Sequence, residues 1–148
     1  MPVMQALLND FSDRIRQASA AGTPLRIRGG GSKDFYGQSL VGELLDTTPY
    51  QGVLSYEPSE LVITVRAGTP LAEVQAMLAQ KGQCLAFEPP HFTQSWGAPS
   101  VAGNGLGATV GGMVAAGLSG PARASVGTVR DFVLGARLIN GKGEHLTY

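Results

Sequence analysis

The run Arg28-Gly29-Gly30-Gly31-Ser32-Lys33 sets the local fold of this chain, because it directly follows residues 25–27, Leu-Arg-Ile, which read as a short strand. Glycine has no Cβ, so successive glycine amides can converge on a single anion. The run also supplies one hydroxyl and one ammonium group. Taken alone, this pattern fits a phosphate-binding loop and a plain surface turn equally well.

A second glycine-rich run covers residues 109–120, Thr-Val-Gly-Gly-Met-Val-Ala-Ala-Gly-Leu-Ser-Gly. Its small residues let a ligand or another backbone approach closely, and Thr109 is a suitable N-cap for a short helix over residues 109–116. The first-turn amides of that helix would then present an anion site. The alternative is close helix packing by small residues, which the same pattern also favours.

The composition restricts the classes of function. The 148 residues, 43% apolar, suffice for one domain or part of one. Eleven basic residues offset eleven acidic ones and form no run, which argues against nucleic acid or an anionic membrane as a partner. The sequence contains no apolar run near the ~20 residues of a transmembrane segment, which predicts a soluble, cytoplasmic protein. The single cysteine, Cys84, excludes an intrachain disulfide and is predicted to be buried.

The first ninety residues predict a mixed α/β unit of parallel character. Helical spacing covers residues 4–21. A second helix is predicted to be capped by Thr69, to have Pro70 at its first position and to stop at Gly82. Short strands are predicted at residues 25–28, 44–45, 52–56, 61–66 and 84–87.

After Pro90 the hydrophobic periodicity of the sequence is lost. Residues 91–107 lack periodicity and predict a long loop, with a subdomain boundary nearby. Residues 132–139 and 144–148 predict a hairpin joined by Asn140-Gly141. Because nothing in the sequence would cover the outer edge of that hairpin, we expect the chain to be a C-terminally truncated piece of a longer protein.

Other known binding motifs are excluded by the sequence around them. Residues 103–108 fit a loose dinucleotide fingerprint but follow a polar loop rather than an apolar strand. Gly141-Lys142 lacks the upstream glycine of a P-loop. His91 and His145 have no cysteine or carboxylate at metal-ligand spacing, so no metal site is predicted. No pair of nucleophile and base stands out.

Five segments, taken in order, resemble the FAD-binding domain of the vanillyl-alcohol oxidase and p-cresol methylhydroxylase flavoproteins. They are residues 28–32, residues 61–68 with the helix after them, residues 88–90, residues 108–112 and residues 126–135. Within that family the chain is most similar to the FAD-binding subunits of bacterial glycolate oxidases, on residues 28–37 and 111–121. Each motif is weak alone, but their order and spacing form a specific set that covers nearly the whole chain.

The resemblance implies an α+β fold, the two-subdomain FAD-binding domain of p-cresol methylhydroxylase type, with FAD between the subdomains. Residues 1–90 would form a first α/β subdomain with the pyrophosphate loop, and residues 91–148 the start of a second, incomplete subdomain. By the same likeness, Ser119 would add its hydroxyl to contacts made mostly by backbone. The implied cofactor-binding residues are Arg28, Gly29, Gly30, Gly31, Ser32, Lys33, Gly37, Pro89, Pro90, Thr109, Gly111, Gly112, Gly117 and Ser119.

Two positions depart from the pattern of the family. Some members attach FAD covalently through a histidine where this chain has Ser32, so the resemblance implies a noncovalent flavin. Gly117 stands where related subunits often carry asparagine, so a side-chain contact with the nucleotide is not expected there.

The resemblance further implies an FAD-dependent oxidoreductase that acts on 2-hydroxy acids. It would be a glycolate oxidase subunit that oxidises glycolate to glyoxylate within a multi-subunit complex, in which an iron–sulfur subunit passes electrons onward. No residue stands out as a substrate base, and the 148 residues alone are expected to be inactive and to bind FAD poorly. The alternatives are a noncatalytic module that docks subunits or binds a nucleotide, and a related FAD oxidase with another substrate.

Overall fold

The computed structural model describes residues 2–35, 37–92 and 107–148 and mixes helices with short strands, as predicted. The helices are α1 (Pro2–Ala21), α2 (Leu71–Ala79), α3 (Val110–Ala116) and α4 (Arg123–Val126), with a 3-10 helix at Val129–Phe132. The strands are β1 (Leu25–Arg28), β2 (Glu43–Asp46), β3 (Val53–Glu57), β4 (Val62–Val65), β5 (Arg137–Ile139) and β6 (His145–Thr147). Within those ranges, every helix is too short or too polar to traverse a bilayer.

The described strands pair in twos. β1 and β2 are parallel, with Arg28 opposite Asp46, so the strand that leads into the glycine run is held by a neighbouring strand. β3 and β4 are antiparallel, and so are β5 and β6. The predicted parallel character is therefore wrong for β3 and β4. Their connection, residues 58–61, is long enough for a hairpin only, whereas a parallel crossover needs a dozen residues or more.

The predicted strand at residues 84–87 is wrong, and so is the predicted burial of Cys84. No described strand pairs with this segment, and the Glu88 amide just after it donates to the Ser119 carbonyl oxygen at 2.9 Å. Leu85 and Phe87 pack into the core. Cys84 is not part of that core cluster and is exposed.

The predicted cap of α2 is also wrong. The N-cap residue is Pro70, which makes no side-chain cap, and the helix begins at Leu71. Thr69 is fully buried, and its hydroxyl accepts from the Gly52 amide at 2.9 Å and donates to the Arg66 carbonyl at 2.7 Å. Because that hydroxyl is hydrogen-bonded to Gly52, 17 residues earlier in the chain, it does not cap the helix.

The C-terminal hairpin is confirmed, although its first strand is shorter than predicted. The Asn140 amide donates to the Glu144 carbonyl at 3.0 Å across the predicted turn. Phe132, the predicted first residue of that strand, is instead the last residue of the 3-10 helix Val129–Phe132. The cause is a capping box, because the Thr128 amide and hydroxyl both donate to Asp131 Oδ2, at 2.7 and 2.9 Å.

The main apolar cluster lies directly beneath the second glycine-rich run. Its buried members are Leu71, Phe87, Ala108, Met113 and Val129. They come from α2, from the segment before residue 90, from α3 and its approach, and from the 3-10 helix. Burial of each large side chain contributes about 1.5–3 kcal/mol, so packing fixes where residues 108–113 lie.

Helix α1 is fastened to both ends of the described fold. Arg14 Nη2 donates to Glu43 Oε1 at 2.6 Å, beside β2. On the hairpin side, Ser12 Oγ and His145 Nε2 are hydrogen-bonded at 2.9 Å, and Arg16 Nη2 donates to the Gly143 carbonyl at 2.8 Å. The helix therefore links the sheet that carries the first glycine run with the C-terminal hairpin.

Arg26→Met is expected to raise the free energy of unfolding of the protein by about 1 kcal/mol, as measured by urea denaturation. The Arg26 Nε is buried and has no hydrogen-bond partner among the residues described, so no hydrogen bond offsets the free-energy cost of its desolvation. Arg66→Met is the matched control and should lower stability. The Arg66 guanidinium donates to the Gln51 carbonyl at 3.2 Å and lies 5.7 Å from the Tyr50 ring centroid. Equal losses in both variants would contradict the prediction.

Candidate diphosphate-binding site

Two segments, residues 28–33 (the first glycine segment) and residues 107–120 (the second glycine segment), lie in direct contact. A Cβ on Gly29 would be 2.5 Å from Thr109 Oγ1, and a Cβ on Gly30 would overlap the Gly107 carbonyl oxygen. Neither position has room for a side chain, because Gly29 packs against the Thr109 side chain and Gly30 packs on the Gly107 backbone. The structure thus brings together the two runs that the sequence analysis singled out.

The first glycine segment is closed at its base by an ion pair. Arg28 donates from Nε and Nη2 to Asp34 Oδ2, at 2.7 and 2.6 Å. The Asp34 amide donates to the Gly31 carbonyl at 3.1 Å, and Gly31 adopts φ 76° with its Cα against the guanidinium. The hydrogen bond that Arg28 donates to the Asp34 carboxylate is the main cause that raises the pKa of Arg28. The charge of Arg28 is therefore compensated inside the loop.

The backbone amides of this loop are its main binding groups. Within the described part of the chain, the amides of residues 29–33 donate no hydrogen bond, although Gly30 is buried. Buried amides are nearly always paired in folded proteins, so the unpaired amide of buried Gly30, flanked by four half-buried residues whose amides are also unpaired, calls for an acceptor. The oxygens of a phosphate or diphosphate are such acceptors.

Lys33 carries the uncompensated positive charge of the loop. Its Nζ lies 5.6 Å from the Phe92 ring centroid, and Phe92 packs edge-on against Phe35. The eleven acidic residues of the chain all lie in the described ranges, and none of them forms an ion pair with Lys33. Burial lowers the pKa of the Lys33 ammonium. An anion next to Nζ would offset that effect.

Helix α3 has the ends that the sequence predicts. Thr109 is the N-cap, and its Oγ1 accepts from the Gly112 amide at 3.2 Å. Gly117 is the C-cap in the left-handed conformation, with φ 64° and open space where a Cβ would lie. Glycine and asparagine are the residues best suited to that conformation.

The expectation that the first turn of α3 presents free amides to an anion is wrong. The Val110 amide donates to the Thr69 carbonyl at 2.9 Å, and the Gly111 amide donates to the Ala67 carbonyl at 2.8 Å. The third amide is held by the Thr109 cap. These bonds dock the seven-residue helix onto the turn before α2, so its amides are already used.

The hydroxyl of Ser119, which the resemblance places at the nucleotide, makes two hydrogen bonds inside the protein. Ser119 Oγ donates to the Gly117 carbonyl at 3.2 Å and accepts from the Val129 amide at 3.0 Å. The residue is 3% exposed. Its carbonyl oxygen accepts from the Glu88 amide, which ties the buried Pro89 and the half-buried Pro90 to the second glycine segment.

Several predicted residues have no further contact that assigns them a role. Ser32 is half-buried in the loop, and Gly37 is exposed at φ 87°. The long loop predicted for residues 91–107 lies mostly in 93–106, outside the described residues. The sequence analysis missed two residues that shape the site, Asp34 and Gly107. The signal for Gly107 was its place in a fingerprint that we set aside, and that for Asp34 was a carboxylate just after a basic glycine run.

Comparisons with known proteins show which proteins this chain is similar to. A family model described as FAD binding domain matches residues 7–108, which include the whole first glycine segment. The glycolate oxidase subunit GlcE of Escherichia coli (strain K12) is 46% identical over 144 residues, or 97% of this chain. The chain spans 37% of the length of that relative.

Proposed function

We propose that this chain, which belongs to the FAD-binding domain family, holds the diphosphate of its cofactor FAD on the first glycine segment. The observation that carries the proposal is the run of five amides, residues 29–33, without a partner among the described groups. Lys33 supports it, because a half-buried ammonium without a carboxylate suits a ligand of charge about −2.

The remaining candidate residues form the second wall of this proposed site. We expect backbone contacts with the nucleotide there, because the Thr109 and Ser119 hydroxyls already have partners in the protein. The Ser32 hydroxyl is available to a phosphate oxygen. Since Ser32 cannot form the histidine linkage, we propose a noncovalent flavin. The second wall comprises Pro89, Pro90, Thr109, Gly111, Gly112, Gly117 and Ser119, whereas Gly37 would complete the loop of the first glycine segment.

For the whole protein we propose a glycolate oxidase subunit that acts in a multi-subunit complex. The relative is a glycolate oxidase subunit, which supports glycolate as the substrate. The two-electron oxidation of glycolate gives glyoxylate. The bound flavin supplies the acceptor for the two electrons that leave the α-carbon of the 2-hydroxy acid. The proposal includes an iron–sulfur partner subunit, a cytoplasmic location and a two-subdomain arrangement in which residues 1–90 and 91–148 flank the FAD.

The visible spectrum of the purified full-length protein tests this function. We expect flavin absorption bands after incubation with FAD and desalting, and loss of those bands when glycolate is added anaerobically to the assembled complex. Absence of flavin bands would overturn FAD binding and favour a noncatalytic docking module. Bound flavin that glycolate does not bleach would overturn the substrate and leave an FAD oxidase of another specificity.

Lys33→Met is expected to weaken FAD binding by the full-length protein about tenfold, since a charge-assisted contact contributes about 1.5 kcal/mol. The dependence of affinity on salt concentration should become shallower in the variant. Titration of flavin fluorescence at two salt concentrations measures both effects. Lys142→Met removes the same charge from the exposed hairpin turn and should leave the FAD affinity unchanged. Equal affinities of the Lys33 variant and this control would contradict the role of Lys33.

A further inference from the structure

We infer that Asp34 is a positioning residue for diphosphate binding, because its carboxylate holds the Arg28 guanidinium beneath Gly31 and so fixes the amides of residues 29–33. The inference rests on the proposed function. It gives Arg28 a role inside the loop instead of a direct contact with the phosphates.

The loop is fastened at both ends, which is the geometric basis of the inference. The Arg28 carbonyl accepts from the Thr47 amide at 2.9 Å and from the Thr47 hydroxyl at 3.1 Å, so β2 holds the start of the loop. The Arg28 side chain bends back to Asp34 and closes residues 28–34 into a ring. Ordering a residue costs about 1–2 kcal/mol in backbone entropy, so a ring that is already closed spares part of that cost when a ligand binds.

The charges of the ring support the same assignment. Residues 28–34 contain two cations, Arg28 and Lys33, and one carboxylate, Asp34. A free carboxylate close to a diphosphate would repel it. The pairing with Arg28 cancels that charge and leaves Lys33 to attract the ligand. The paired side chains are only 18% and 33% exposed, so solvent weakens this interaction less than it would at an open surface.

A double-mutant cycle on the full-length protein tests the inference, with the Kd for FAD and the thermal midpoint of the FAD-free protein as readouts. We expect Asp34→Asn and Arg28→Met each to weaken FAD binding about tenfold, and the double variant to bind no more weakly than either single variant. Asp34→Glu should recover most of the affinity. Thermal midpoints should stay within about 2 °C of the unmodified protein, as for other partly exposed ion pairs.

Asp13→Asn is the matched control, because it removes the same charge from an exposed pair with Arg16 on α1. It should leave the FAD affinity unchanged. Unchanged or tighter FAD binding by Asp34→Asn would overturn the inference and identify Arg28 as a phosphate ligand that Asp34 restrains. Additive losses in the double variant would overturn it as well. If the unmodified protein binds no FAD, the proposed function itself fails, which this experiment separates from failure of the inference.

Discussion

Gly30→Ala is expected to reduce the affinity of the full-length protein for FAD more than about hundredfold. The added Cβ would overlap the Gly107 carbonyl oxygen, which belongs to backbone and cannot rotate away as a side chain can. Overpacking of this kind typically costs 1–3 kcal/mol, and here the relief must separate the two glycine segments. Because a factor of one hundred in Kd corresponds to about 2.7 kcal/mol, the cost and the expected loss agree in size.

Equilibrium dialysis or flavin fluorescence titration of the purified variant measures this effect. Gly141→Ala is the matched control, since a Cβ there meets nothing within 4 Å and the backbone is not in the left-handed region. That variant should bind FAD as the unmodified protein does. Native affinity in Gly30→Ala would show that the close approach to Gly107 is not needed to hold the cofactor.

Gly120→Asn is expected to lower the free energy of unfolding by about 3 kcal/mol, the largest loss of stability among the changes considered. Gly120 adopts φ 72°, and a Cβ there would overlap the Glu88 carbonyl oxygen. Asparagine tolerates this backbone conformation at a cost of about 1 kcal/mol, and the overlap adds a further 1–3 kcal/mol. The contact between residues 88–90 and the second glycine segment must then open.

Gly117→Asn provides the comparison that isolates the contact. Gly117 has nearly the same backbone conformation, φ 64°, but open space where the side chain would go. We expect it to lose less than about 1 kcal/mol. Urea denaturation of both variants gives the difference directly. Equal losses would mean that backbone conformation alone, and not the approach to Glu88, explains the need for glycine at residue 120.

Features that depend on neighbours in sequence could be predicted for this chain. The Thr109 cap acts three residues ahead, on the Gly112 amide, and the Asn140-Gly141 turn joins adjacent strands. Features that depend on distant partners could not. The position of Thr69 in the sequence suits a helix cap, yet its hydroxyl accepts a hydrogen bond from the Gly52 amide instead. No residue near Thr69 in the sequence indicates that the Gly52 amide competes for this hydroxyl.

The same distinction between local and distant partners applies to the candidate site. Its glycines and Lys33 were recognisable from the sequence, because absence of a side chain and presence of a charge are properties of the residues themselves. Which amides remain available is a property of the fold. The amides at the start of α3 are consumed by carbonyl groups of residues 67 and 69, more than 40 residues away in the sequence, whereas those of residues 29–33 are not. The sequence therefore indicated two segments with amides available to the diphosphate, whereas the hydrogen bonds leave such amides free only in residues 29–33 among these.

The ties between α1 and the C-terminal hairpin constrain the order of folding. Ser12 and His145 are 133 residues apart, and Arg16 and Gly143 are 127 residues apart. Contacts of such long range form slowly, because a large loop must close before they stabilise anything. On the ribosome, α1 is synthesised before the hairpin and cannot complete its docking until residues 143–145 have been synthesised.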